Sequence, residues 1–81
     1  MDDDAVEKVV KIIEKVANVN ISEINPDRDL RDQIILDSMQ FLTISAHIEE
    51  AFNIELPISI INVKTLNDFL KLFKKELASQ S

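Results

Sequence analysis

The stretch Asp37-Ser38-Met39-Gln40-Phe41-Leu42-Thr43-Ile44-Ser45-Ala46-His47-Ile48-Glu49-Glu50-Ala51-Phe52 decides the fold. At about 100° per residue it sorts into three stripes. Phe41, Ile44, Ile48, Ala51 and Phe52 form one apolar stripe, and Met39, Leu42 and Ala46 form another. The remaining outward strip is Gln40, Thr43, His47 and Glu50, at spacings of three, four and three. The spacing predicts a helix over 37–52 that is buried on two sides.

Helical periodicity extends outward from this segment. Val6, Val9, Val10, Ile13, Val16 and Ala17 recur every three or four residues behind Asp2, Asp3 and Asp4, whose charges suit a helix N-terminus. This predicts a first helix over 3–17. Asn18, Asn20, Ser22, Asn25 and Pro26 then break the pattern. A long connection reaches Asp37 with isolated apolar anchors at Ile21, Ile24, Leu30 and Ile34, and a loop of that length in a small domain is more often functional than idle. Pro57 disfavours helix at Leu56 and permits a fresh start after it, so 58–62 can form a short helix. Thr65 and Asp68 resemble a capping box for a last helix with apolar face Leu66, Phe69, Leu70, Phe73 and Leu77. Lys71, Lys74 and Lys75 lie near its C-terminus, where the dipole favours cations. The expected architecture is all-α: one four-helix bundle, three longer helices and one short, with a long first loop.

Composition bounds the function. The 81 residues are 46% hydrophobic and 30% charged, and they include no glycine, cysteine, tryptophan or tyrosine. We expect one small domain over 1–81, which buries only about 60–65% of its unfolded surface, too little for a deep active site as well as a core. Disulfides and thiolate metal sites are excluded, so helix packing must supply the stability. Met1 precedes three aspartates and no long apolar run occurs, so neither a signal peptide nor a membrane span is expected, and the expected compartment is the cytoplasm. The net charge of −6 argues against nucleic acid and anionic membranes. Residues 32–63 carry five acids and no Lys or Arg, whereas 64–81 carry two acids and four lysines. The acidic middle is either a solvated face or a docking surface for basic partners.

Catalytic constellations can be tested directly, because the chain has one histidine and six serines. Ser38 and His47 fall about 180° apart around one helix and about 13 Å along it, which excludes a dyad. His47 with Glu50 is an i, i+3 pair, two groups short of a metal site, and we expect no metal. Without glycine there is no phosphate-binding glycine loop. The chain is therefore not expected to be an enzyme. Ser38 stands at a helix start after a long loop. Either Asp37 or Ser38 merely caps the helix, or Ser38 bears a phosphoester, which free backbone N–H groups and the positive dipole end would stabilise.

Leu36-Asp37-Ser38-Met39, followed by an amphipathic helix ending Ile48-Glu49-Glu50-Ala51-Phe52-Asn53-Ile54-Glu55-Leu56-Pro57, resembles the core signature of acyl carrier proteins and the related peptidyl carrier domains. The resemblance covers nearly the whole chain in length, acidity, helix order and long first loop. It implies that Ser38 receives a 4′-phosphopantetheine arm, flanked by Asp37 and Met39, and that the arm's thiol carries acyl cargo as a thioester. It implies that Asp37 orients the site for a phosphopantetheinyl transferase and its metal-coordinated cofactor. It implies docking of acyl-transferring and acyl-activating enzymes, through basic surfaces, on Gln40, Thr43, His47, Glu50 and Ile58 of a monomeric carrier. For the cargo, Leu42, Ala46, Leu56, Ile61 and Val63 are apolar and face the gap between the second helix and the segment after Pro57. Ala46 leaves room there for a medium acyl chain, the other reading being a close-packed core.

Three features depart from the family pattern. Ile35 stands where many members have glycine, and a β-branched residue resists positive φ. Gln40, Thr43 and His47 replace frequent acids, and Ile58-Ser59-Ile60-Ile61-Asn62 replaces a segment that is often acidic. These suggest a specialised stand-alone carrier serving fatty-acid, polyketide or related biosynthesis. An aminoacyl or D-alanyl carrier is the alternative within the class. An unmodified helical adaptor, binding through its acidic middle and the Ile58 to Ile61 segment, is the alternative outside it.

Overall fold

The computed structural model describes residues 2–34 and 37–80. Ile35, where the chain departs from the family's glycine, and Leu36, which opens the Leu-Asp-Ser-Met motif, lie outside the described residues. Three helices form: α1 (Asp2–Ala17), α2 (Ser38–Phe52) and α3 (Leu66–Gln80). Short 3₁₀ turns cover Ile21–Glu23, Leu30–Asp32 and Ile58–Asn62. Among the described residues there is no strand, only a single antiparallel bridge between Asp29 and Thr65. The all-α bundle expected from periodicity is the observed fold, and its short helix is the 3₁₀ turn after Pro57.

Helix termination in a chain without glycine falls to asparagine. Asn18 (φ 56°) follows α1 and Asn53 (φ 55°) follows α2, both left-handed. Asparagine tolerates that region better than other residues with a Cβ, because its short polar side chain bonds locally. The Val19 N–H then donates to the Glu14 carbonyl at 3.2 Å, and the Ile54 N–H donates to the Glu49 carbonyl at 3.2 Å. At the start of α3 the Asp68 N–H donates to Thr65 Oγ1 at 3.0 Å, the cap expected there.

The core draws on every element. Val9 and Ile13 of α1 meet Phe41, Ile44 and Ile48 of α2, with Leu66, Phe69 and Phe73 from α3. Burying each such side chain contributes about 1.5–3 kcal/mol. Phe41 and Phe69 lie 6.4 Å apart and tilted, while Phe52 and Phe73 meet edge-on at 5.0 Å. Of the loop anchors, Ile24 and Leu30 are buried and Ile21 and Ile34 pack half-buried against the core.

The long loop is tied rather than loose. Its turns are capped by Asn20 and Asp29. The Gln33 amide accepts from the Asn25 N–H at 2.7 Å and donates back to the Asn25 carbonyl at 3.0 Å. The Leu30 N–H donates to the Lys64 carbonyl at 2.7 Å and the Asn67 N–H to the Pro26 carbonyl at 3.1 Å, which ties the loop to the start of α3.

One expectation about α2 is corrected. Phe41, Ile44 and Ile48 are buried, but the second stripe of Met39, Leu42 and Ala46 is exposed. In a bundle of three helices α1 and α3 cover Phe41, Ile44, Ile48 and part of Phe52, while Ala51, also expected in the buried stripe, is exposed. Among the described residues, the main element beside α2 on its other flank is the five-residue Ile58–Asn62 turn, too short to cover a helix of 15 residues.

Candidate functional site

Ser38 is the first residue of α2 and is exposed. The residue before it makes the cap: Asp37 is extended (φ −95°, ψ 176°), and its Oδ1 accepts from the Gln40 N–H at 2.9 Å. Gln40 Oε1 accepts in return from the Asp37 N–H at 3.2 Å, which completes a capping box. The question left open by the sequence is thus settled for the cap: Asp37 holds the helix start. Among the described residues nothing hydrogen-bonds to the Ser38 hydroxyl. The Ser38 and Met39 N–H groups precede the first helical bond, from Phe41 N–H to the Asp37 carbonyl at 3.1 Å, and among the described residues they have no acceptor, as at a helix start. A phosphoester on Ser38 fits this position, because the oxygen projects into solvent beside free backbone donors.

Apolar side chains surround this end of the molecule. Met39 and Ile58 are each 71% exposed, and Leu42 is 40% exposed. Met39 lies next to Ser38 on α2, and Ile58 begins the turn that packs against α2. Among the described residues these three are the large apolar side chains most open to solvent.

The outward strip of α2 is not uniform. Gln40 is half-buried and engaged in the cap, while Glu50 is exposed. Thr43 donates its hydroxyl to the Met39 carbonyl at 2.9 Å. Thr43 and His47 line a groove of about 310 Å³ with Ile12, Lys15 and Val16 of α1. The four residues therefore divide among a helix cap, an interhelical groove and open solvent.

The gap between α2 and the segment after Pro57 also differs from expectation. Leu42 and Ala46 are exposed, whereas Leu56, Ile61 and Val63 are half-buried. With two of the five open to solvent, they do not wall a closed chamber. A residue the sequence reading did not single out holds the far side of this gap. Arg31, in the loop turn, donates from one guanidinium nitrogen to the Val63 carbonyl at 2.9 Å and from the other to the Ile61 carbonyl. Its guanidinium carbon lies 4.9 Å from the centroid of the Phe41 ring. No local pattern in the sequence announces this, since its partners stand ten to thirty-two residues away.

Glu49 is a second residue whose part was not foreseen. Its carboxylate accepts from the Leu56 N–H at 2.8 Å, while Gln80 of α3 accepts from the Glu55 N–H and donates to the Glu55 carbonyl, both at 2.7 Å. The Glu-Glu-x-Phe-x-Ile-x-Leu-Pro stretch is thereby a built connection: Ile54 is buried, and the backbone on either side of Glu55 is satisfied. Among the described residues no group of three or more potential metal ligands occurs.

Residues 7–73 match the family model described as the phosphopantetheine attachment site. The chain belongs to the phosphopantetheine-attachment family of carrier proteins. Among curated proteins it is similar to an acyl carrier protein of Thermobifida fusca, at 25% identity over 68 residues, 83% of this chain and 86% of that one. It is equally similar, at 25% over 68 residues, to meromycolate extension acyl carrier proteins of Mycobacterium leprae and Mycobacterium tuberculosis, with the match spanning 59% of their length. As a carrier the chain is not an enzyme: it holds a group that other proteins transform. No helix among the described residues is long and apolar enough to cross a membrane.

Proposed function

We propose that the chain, as one carrier domain over residues 1–81, carries acyl intermediates of fatty-acid, polyketide or related biosynthesis on a 4′-phosphopantetheine arm attached to Ser38. The observation that carries this reading is the exposed Ser38 at the start of α2, its hydroxyl unengaged among the described residues and the helix cap supplied by Asp37 instead. Bound there, the arm supplies a thiol on which acyl groups ride as thioesters. The names of the similar proteins favour acyl cargo over aminoacyl or D-alanyl cargo.

The residues divide the work by position. Asp37 fixes the helix start and presents a carboxylate beside Ser38, where a phosphopantetheinyl transferase delivers the arm with a metal ion. The Ser38 and Met39 N–H groups, without an acceptor among the described residues, would be the donors available to the phosphodiester. Met39, Leu42 and Ile58 give partner enzymes an apolar contact, and Glu50, Asp32 and Glu55 steer basic docking surfaces toward it. The carrier works as a monomer in the cytoplasm.

Incubation with a broad-specificity phosphopantetheinyl transferase and coenzyme A tests the reading. Intact mass should gain one arm per chain, and Ser38→Ala should gain none while melting with the wild type. An unmodified wild type, or label on Ser22 or Ser59, overturns carriage in favour of the unmodified adaptor.

A further inference from the structure

We infer that Arg31 is a clasp that holds the 61–63 segment against α2, and so sets how deeply a carried chain can enter between them. The cargo half of this inference rests on the carriage proposed above, and the clasp itself does not. Arg31 is exposed whereas Phe41, whose ring it covers at 4.9 Å, is 1% exposed, so the guanidinium stands between solvent and the core at that point. The same group holds the carbonyls of Ile61 and Val63. Guanidinium is suited to this, because its planar fork reaches two carbonyls while its face lies on an aromatic ring.

The clasp is anchored at its root. The turn that bears it is capped by Asp29, whose Oδ1 accepts from the Arg31 N–H at 2.9 Å, and the adjoining Leu30 is 3% exposed. The Leu30 N–H holds the Lys64 carbonyl at 2.7 Å. Backbone and side chain of neighbouring residues therefore grip the same stretch, 61–64, and tie it to the loop and to α2. An acyl chain seeking the Phe41–Phe69 core by this route has to displace a cation from two hydrogen bonds and a ring face. With the clasp shut, the apolar surface left to a chain is the open one of Leu42 and Ala46.

Amide hydrogen exchange of the unmodified chain, compared among wild type, Arg31→Ala and Arg31→Lys, tests the clasp. Lysine keeps the charge and most of the stem but not the planar fork, and far-UV circular dichroism checks that each variant is helical. Exchange in peptides spanning 58–64 should rise about tenfold or more in Arg31→Ala, and in the same direction in Arg31→Lys, as two charge-assisted bonds are lost. Thermal melting of forms bearing the arm with and without an eight-carbon acyl group tests the cargo half. The acyl group should leave wild type unshifted and should raise the melting temperature of Arg31→Ala by roughly 5 °C. Unchanged exchange in both variants overturns the clasp, and an equal acyl shift in wild type and Arg31→Ala overturns its control of entry. If Ser38 takes no arm, carriage fails, and the exchange comparison still decides the clasp.

Discussion

Replacing Asp37 separates its structural part from its chemical one. Asp37→Ala removes the acceptor of the Gln40 N–H, now bonded at 2.9 Å, and leaves the weaker return bond at 3.2 Å in place. Loss of a side-chain cap costs about 0.5–2 kcal/mol, and loss of the carboxylate from the positive end of the helix dipole about 0.3–1 kcal/mol more at an exposed site. Together these amount to about 0.8–3 kcal/mol, which for a chain of this size lowers the melting temperature by roughly 3–24 °C. Asp37→Asn keeps an oxygen acceptor and is nearly as good a cap, so it should fall within about 1 kcal/mol of wild type. The two variants then part in function. Circular dichroism melts measure the cap, and a time course of arm addition by intact mass measures the approach of the transferase. Asp37→Asn should fold almost as wild type yet accept the arm on the order of tenfold more slowly, as expected when a carboxylate that helps position a metal is neutralised. A wild-type melting temperature for Asp37→Ala refutes the cap, and a wild-type loading rate for Asp37→Asn refutes the role beside Ser38.

Other perturbations bear on the same surface. Glu49→Ala leaves the half-buried Leu56 N–H without its acceptor and should cost about 1–3 kcal/mol, read by melting and by faster exchange at Leu56, whereas Glu49→Gln should recover most of the loss. Asn53→Ala forces an alanine to φ 55° and should destabilise by about 1–2 kcal/mol, while Asn53→Gly should be neutral or better in the same denaturant titration. Gln40→Glu keeps the capping oxygen and adds a charge for basic partners, so it should speed acyl transfer by a fatty-acid ketosynthase through on-rate, with a gain that shrinks as salt is added. Thr43→Glu should add little, because that side chain shares its groove with Lys15, and equal gains from the two substitutions would contradict the division of the strip.

The helices and the exposed serine at the start of α2 were legible in the chain because they depend on near neighbours. Apolar spacing over 3–17, 37–52 and 66–77, the break at Asn18 to Pro26 and the restart after Pro57 are local patterns, and the elements stand where those patterns place them. The Asp-Ser-Met site is equally local, since a helix start is made by the residues on either side of it. What the chain did not disclose was which apolar stripe of α2 would find a partner. Met39, Leu42 and Ala46 read like a core stripe, but the segment able to cover them is a single short turn, and coverage is a property of the assembled bundle. Arg31 is the clearest case. Its guanidinium serves Ile61, Val63 and Phe41, which meet only when the long loop folds back across α2 and the start of α3. Hydrogen bonds between residues thirty positions apart leave no period in a sequence. The position and exposure of Ser38 thus followed from its neighbours in the chain, while the Arg31 contacts that tie the 61–63 segment to Phe41 were decided by tertiary contact alone.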